Sequence, residues 1–181
     1  MHVIYSDAMV APAQGSSPSA AKPRPVVDAW IELDPDIRIL PPKPVTLDEI
    51  SAAHEPGFVA GVFALRIPNG FGTRSSDVIR SLPYTTGAML TAARLALAQK
   101  TAVAAPVSGF HHARWHEAAA YCTFNGLIVT AMALRAAQPN IRVGILDYDY
   151  HYGDGTDDII SRLGLHWIAH YTAGQTFMAE H

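Results

Sequence analysis

The stretch "ILDYDYHYGDGT", residues 145–156, decides how the rest of the chain is read. Ile145 and Leu146 are what a buried strand wants, yet Asp147, Asp149, His151 and Asp154 follow at once. In an extended segment side chains alternate, so Asp147, Asp149 and His151 point to one side. Carboxylates and an imidazole gathered there would repel or strand their charges unless something positive sat among them. A metal ion meets that need. Asp149 and His151, at i and i+2, offer an oxygen and a nitrogen that suit two ligands of a divalent ion. Asp147 and Asp154 need not be ligands. A carboxylate beside an imidazole fixes its tautomer and raises its basicity, a supporting role that reactive histidines require.

Working outward, "IRVGILDYD" (141–149) reads as a strand, "TDDIISRL" (156–163) as a helix and "LHWIAHY" (165–171) as a further strand. Upstream, residues 117–137 read as a helix, "AVAAPVSG" (102–109) as a short strand and "TGAMLTAARLALAQKT" (86–101) as an amphipathic helix. "PGFVAGVFAL" (56–65) suits a helix with Pro56 in its first turn, and "TLDEISAAH" (46–54) carries a capping box of Thr46 and Glu49. "DIRIL" (36–40) and "MHVIYSD" (1–7) suit strands, "PVVDAWIELD" (25–34) a helix, and "NGFGTRSS" (69–76) a loop. Residues 11–25, rich in Ala, Pro, Ser and Gly, read as a surface loop. Strands alternating with helices predict an α/β fold of three layers, a mostly parallel sheet covered on both faces. Ligands bind such sheets beyond the carboxyl ends of the strands. "SGFHH" (108–112) and "DYDYHYGDG" (147–155) both lie at that edge. Adjacent histidines in a surface loop are ordinarily solvated and idle; at this edge His111 and His112 become candidates for chemistry.

With 181 residues, 49% hydrophobic and 16% charged, the chain suits one compact domain and not a disordered one. A net charge of -3 with no Lys/Arg cluster leaves no footprint for nucleic acid. The single Cys122 excludes an intramolecular disulfide and suggests a cytoplasmic chain. The first residues show no basic and apolar signal-peptide regions. The apolar run 118–137 contains Asn125 and Arg135, so it reads as a buried helix and not as a membrane span. No nucleic-acid or membrane partner is expected, and the chain reads as soluble.

Together these pieces resemble the zinc-dependent histone deacetylase family, with its bacterial and acetylpolyamine-deacetylating members. "GFHHARWHEAAAYCTFN" (109–125) is similar to the family's His-His-Ala block followed by Gly-Phe-Cys-x-x-Asn. "ILDYDYHYGDGT" is similar to its Asp-x-Asp-x-His-His-Gly-Asp/Asn-Gly block, and the spacings within both fit without gaps. "KPRPVV" (22–27) and "AAHEPGFV" (52–59) resemble family segments less specifically.

The resemblance implies an arginase/deacetylase-like fold and removal of an acyl group, acetyl foremost, from an amine such as acetyl-lysine or an acetylpolyamine. It implies that Asp149 and His151 are two of three protein ligands to zinc. His111, backed by Asp147, would hydrogen-bond the metal-bound water, and His112, backed by Asp154, would be the second active-site imidazole. Tyr121 would form one wall of a substrate tunnel, with Ala120 before it and Cys122 near its foot. It also implies a structural potassium ion near Asp147. Arg24 could match a basic residue of an internal pocket, but a surface arginine is the simpler reading.

This chain departs from the pattern in several places. Ala120 replaces a glycine and Tyr152 replaces the second His of the His-His-Gly run; if "LHWIAHY" matches the family's next strand, Ile168 replaces a Ser associated with potassium. "YTAGQTFMAEH" (171–181) supplies neither the third ligand, an Asp, nor the Tyr that stabilises the oxyanion. The chain is therefore expected to be the N-terminal part of a single deacetylase-like domain, inactive alone, and to pair with a missing C-terminal half or with another copy. A non-catalytic module of the same fold is the alternative. A manganese hydrolase of the arginase class ranks third, since its Asp-x-His-x-Asp run would need Asp154 one residue earlier.

Overall fold

A computed structural model describes residues 1–15 and 17–179, with side chains through Phe177. The order begins β1 (His2–Ile4), α1 (Pro23–Leu33), β2 (Arg38–Leu40), α2 (Leu47–Ser51), α3 (Pro56–Phe63), α4 (Ser76–Gln99) and β3 (Val103–Ala104). It continues α5 (Gly126–Ala137), β4 (Val143–Asp147), α6 (Asp154–Leu163), β5 (Ile168–Thr172) and α7 (Ala173–Ala179). Strand pairing is parallel throughout, as the alternation of strands and helices predicts.

The sheet, however, comes in two pieces. One has the order β2-β1-β3 and the other is the pair β4-β5. Between them β3 and β4 each keep an edge without a strand neighbour among the described residues. A groove of about 270 Å³ runs there, lined by Val107, Leu127, Ile145, Leu146 and Tyr148 among others.

Among the described residues, helices do not cover both faces of β4-β5. Ile145 and Ile168 face a core shared with Ile128 and Val129 of α5 and Ile159 of α6. On the opposite face Leu146 is 69% exposed, and Tyr171, its partner in register, is exposed too. The first piece packs Val3 and Ile4 with Val27 of α1 and Ala88 and Ala92 of α4.

Local signals explain most boundaries. Thr46 accepts from the Glu49 amide while the Glu49 carboxylate accepts from Thr46, so the capping box forms. Helix α4 starts ten positions before Thr86, capped by Ser75, and runs through Pro83. The expected helix over 117–137 shortens to α5, because Asn125 caps it through the Ile128 amide. Residues 117–125 form a loop instead. Helix α7 follows β5 directly and was not expected. The 11–25 segment is less of a surface loop than its composition suggests. Its last residues belong to α1, and Ala11, Ser17 and Ala20 are buried.

Candidate active site

The site is built where β4 ends. Asp147 closes the strand, a turn carries Asp149 to Gly153, and Asp154 opens α6. The turn is tied by its own acids: the Asp149 amide donates to Asp147 Oδ1 (3.0 Å) and the His151 amide to Asp149 Oδ1 (2.8 Å). Its tightness leaves no room for side chains at key points. A Cβ on Gly153 would stand 2.5 Å from Asp147 Oδ2, and one on Gly155 would stand 2.4 Å from the His112 carbonyl carbon. Gly174 of α7 does the same beneath His151, whose carbonyl carbon lies 2.1 Å from a Cβ built there.

The 109–125 loop meets this turn from the side. His111 Nδ1 reaches Asp147 Oδ2 at 2.7 Å and His112 Nδ1 reaches Asp154 Oδ1 at 2.8 Å. A carboxylate accepts only, so each Nδ1–H donates, and when the ring is neutral its Nε2 is the acceptor. The two rings lie 4.1 Å apart, and His151 stands 6.0 Å from His112. Asp154 is held below its ordinary value: burial opposes ionisation, but hydrogen bonds from His112 and Arg114 outweigh it. Asp149 is lowered in the same way, its burial outweighed by the His151 amide and ring and by the charge of His111.

A cleft of about 490 Å³ opens beside them, bordered by His111, His112, Ala120, Tyr121, Cys122, Asp149 and His151. Asp147 and Asp154 stand behind their imidazoles and do not line it. Tyr121 is exposed at the cleft wall, packed against Phe71 with ring centroids 5.7 Å apart. Cys122 is buried, and burial pushes its thiol up to about 11, so it is no nucleophile. Arg24 pairs with Asp7 away from the cleft, as a surface arginine. Tyr152 turns away as well: its hydroxyl donates to Asp157 (2.6 Å), which pushes it up to about 12.

Donor chemistry at Asp149 and His151 fits zinc: a carboxylate oxygen and an imidazole nitrogen, two residues apart and open to the cleft. Their side chains hydrogen-bond to each other at 3.0 Å. Among the described residues no third His, Cys, Asp or Glu joins them in a metal-holding group. Potassium fits less well. Both Asp147 oxygens are engaged, by His111 and by the Asp149 amide. The strand register also corrects the expectation for Ile168, which pairs with Val143 in the core, whereas Thr172 pairs with Asp147. Thr172 Oγ1 accepts from the Gly153 amide (3.0 Å). His170, on the same strand face, bonds Asp157 at 2.7 Å, and its buried Nε2 has no partner among the described residues. Imidazole suits zinc-like metals better than alkali ions.

Several supporting residues carried no visible signal in the sequence. Ser17, Ser19 and Lys22, from the apparent surface loop, line the cleft. His54 is fully buried, donates through Nδ1 to the Arg114 carbonyl (2.9 Å) and accepts through Nε2 from the Asn125 amide (2.8 Å). Burial lowers it to about 4, so it stays neutral. Asn125 Nδ2 in turn donates to Thr156 Oγ1 (3.0 Å) in α6. The "AAHEPGFV" segment holds this histidine, but its resemblance to family segments gave no hint of the strut.

Residues 22–165 match the model of the histone deacetylase domain. Histone deacetylase 8 of Xenopus tropicalis is 28% identical over 140 residues, covering 70% of this chain and 37% of that protein. The acetoin utilization protein AcuC of Staphylococcus aureus (strain COL) is 29% identical over 133 residues, 66% of this chain and 34% of its own. The crystal structure of the HDA15 HD domain superposes with a TM-score of 0.77 at 19% identity, over 93% of this chain and 51% of that one. The chain thus spans about half the length of that domain and little more than a third of the curated relatives. It has the deacetylase α/β fold, and with most of its length inside the family's model it belongs to the histone deacetylase family.

Proposed function

We propose that this chain carries the metal lip and the proton-transfer pairs of an amide hydrolase that removes an acyl group, acetyl foremost, from an amine such as acetyl-lysine or an acetylpolyamine. The observation that carries this reading is the side-by-side placement of His111 and His112, each backed by a carboxylate, on the cleft that Asp149 and His151 border. With Nδ1 committed to a carboxylate, each Nε2 can take a proton from water and return one to the leaving amine, worth on the order of 10²–10⁴-fold. Zinc, held by Asp149, His151 and a donor from outside the described residues, would supply the Lewis acidity that an amide carbonyl and a water nucleophile need. Tyr121 and Ala120 would guide the acylated amine, and neutral Cys122 would close the cleft without reacting. The arginase-class reading loses ground, because both Asp154 oxygens are taken, by His112 and by Arg114.

Completion is part of the proposal. The free edges of β3 and β4 and the bare face bearing Leu146, Tyr148 and Tyr171 would promote aggregation if left open. We assign them to the remainder of a deacetylase domain, present as further polypeptide, with a second copy of the chain as the competing occupant. Alone, the 181-residue chain would be inactive and would hold zinc weakly. The single buried thiol suits a reducing compartment, and we place the protein in the cytoplasm. Among the described residues no helix is long and apolar enough to cross a membrane.

The test is a panel of acetyl-lysine peptides and acetylated polyamines with zinc, on the 181-residue chain and on the longest form of the polypeptide that can be expressed. Turnover by the longer form that disappears in His112→Ala supports the hydrolase. Binding of the same compounds with no turnover in any form would replace it by a non-catalytic binding module.

A further inference from the structure

The two histidine–carboxylate pairs are not built alike, and the difference lies in Arg114. Asp147 gives its second oxygen to a backbone amide, that of Asp149. Asp154 gives its second oxygen to the Arg114 guanidinium, while its first accepts from His112. Arg114 is anchored by its backbone on both sides. Its carbonyl accepts from buried His54 (2.9 Å), and its amide donates to the Glu117 carbonyl (2.9 Å). The next residue is fixed as well, since the Trp115 amide donates to Asp158 Oδ2 (2.9 Å) in α6. Backbone pinned at 114 and 115 aims the arginine at the opening turn of α6, where Asp154 sits. A half-exposed ion pair adds little stability by itself. Its value is geometric: a guanidinium is planar, always charged and purely a donor, so it holds a carboxylate in one orientation and in its ionised, accepting form.

We propose that Arg114 is a positioning residue for His112: by clamping Asp154 it holds the imidazole as the Nδ1–H tautomer, with the Nε2 lone pair facing the cleft. Without the clamp the carboxylate can rotate and His112 can exchange its proton between the two nitrogens. His111 needs no such clamp, because Asp147 is fixed by the turn that follows it. The proposal rests on the hydrolase reading only for its consequence, a His112 ready to accept a proton. Its test uses no turnover, so the two can fail separately.

The measurement is the ring-nitrogen NMR spectrum of the 15N-histidine-labelled 181-residue chain at about pH 8, where an ordinary imidazole is neutral. The wild-type chain is expected to show widely separated Nδ1 and Nε2 resonances for both His111 and His112. In Arg114→Gln the His112 pair should collapse towards a common value while His111 stays in place. Arg114→Lys, which keeps the donor charge, should restore most of the separation. Asp154→Asn, whose amide can donate to Nδ1, should turn His112 to the opposite tautomer. An unchanged His112 in Arg114→Gln would overturn the proposal. So would a change in His111 and His112 together with the backbone spectrum of the loop, which would make Arg114 a general structural residue.

Discussion

His111–Asp147 and His112–Asp154 look like repeats of one device, but the fold supports them by different means. In the first pair the imidazole is 12% and the carboxylate 10% exposed; in the second the values are 19% and 29%. Asp147 ends a strand and is locked by the backbone of its own turn. Asp154 opens a helix, where the macrodipole favours an anion, and is locked by a side chain arriving from the other loop. One pair is therefore a property of β4, whereas the other exists only while the 109–125 loop stays docked on α6. What docks it is His54, Asn125 and Thr156, a buried polar strut lying outside the cleft.

The largest effect should come from the imidazoles themselves. In a complete, active form, His112→Ala is expected to lower kcat by about 10²–10⁴-fold with zinc retained, whereas His151→Ala should lose the metal along with activity. Asp147→Asn should keep zinc, reduce turnover by at least about tenfold and shift the pH–rate profile, since it removes the charge behind His111. Parallel metal analysis and kinetics on these variants would break the comparison if all of them kept both zinc and rate.

Stability separates the pairs next. Asp147→Ala leaves a buried imidazole N–H and a backbone amide without their acceptor and should cost roughly 3 kcal/mol, the scale of unsatisfied buried donors. Asp154→Ala, more exposed, should cost roughly 1 kcal/mol. Urea unfolding of both variants is the check, and equal costs would show that burial does not distinguish them.

The strut predicts a pH dependence. His54 titrates near 6.5 when unfolded and about 4 when folded, because burial disfavours its charge. The unfolded chain thus binds more protons below 6.5, and stability should fall as pH drops from about 6.5 to about 4, by on the order of 3 kcal/mol. Asp149 and Asp154 are lowered in the fold, so their contribution is present above the ordinary carboxylate range and is lost at still lower pH. His54→Gln should remove the first window and leave the second. A stability curve flat between pH 4 and 6.5 in the wild-type chain would contradict the buried, neutral His54.

Which parts could be read from the sequence follows the same division. The β4–α6 segment was legible in its residue types, but β4 ends at Asp147 rather than 149, so a turn and not strand alternation brings Asp149 and His151 together, while Asp147 stands behind the cleft. The pairing of Asp147 and Asp154 with His111 and His112 came from family resemblance, since no local rule joins residues some forty positions apart. The start of α4 was missed because Pro83 reads as a helix breaker, yet it lies inside α4 and its carbonyl accepts from Val45. The alanine run 118–120 reads as helix, but the Asn125 cap and Gly126 start α5 later and leave the run to the loop. The break between β3 and β4 had no sequence signal, because an edge shows itself only when its neighbour is placed. Arg114 and Lys22 looked like ordinary surface charges.

The smallest predicted effect lies on the cleft wall, where the turn carrying Tyr121 is strained. Ala119 and Cys122 exchange backbone hydrogen bonds (3.0 and 2.7 Å), closing a two-residue turn. Its central residues, Ala120 and Tyr121, have φ of 43° and 69°. Positive φ at both positions is the geometry that Asn-Gly favours, and a β-carbon there costs roughly 1–2 kcal/mol. The turn is held from outside by the Tyr121 amide, which donates to the Gly70 carbonyl (2.8 Å). Ala120→Gly relieves the strain but loosens the unfolded chain, so a net gain of about 0.5 kcal/mol is expected. Ala120→Asn, which tolerates the left-handed region, should gain a similar amount, and Ala120→Val should lose more than about 1 kcal/mol. Neither Gly nor Asn should disturb the two histidine pairs, since the turn touches the cleft and not the carboxylates. Thermal unfolding with the ring-nitrogen spectrum on the same samples decides. If Ala120→Gly destabilises the chain, the positive φ is not a cost that Ala120 bears, and the wall is shaped by the docking of Tyr121 on Phe71 instead.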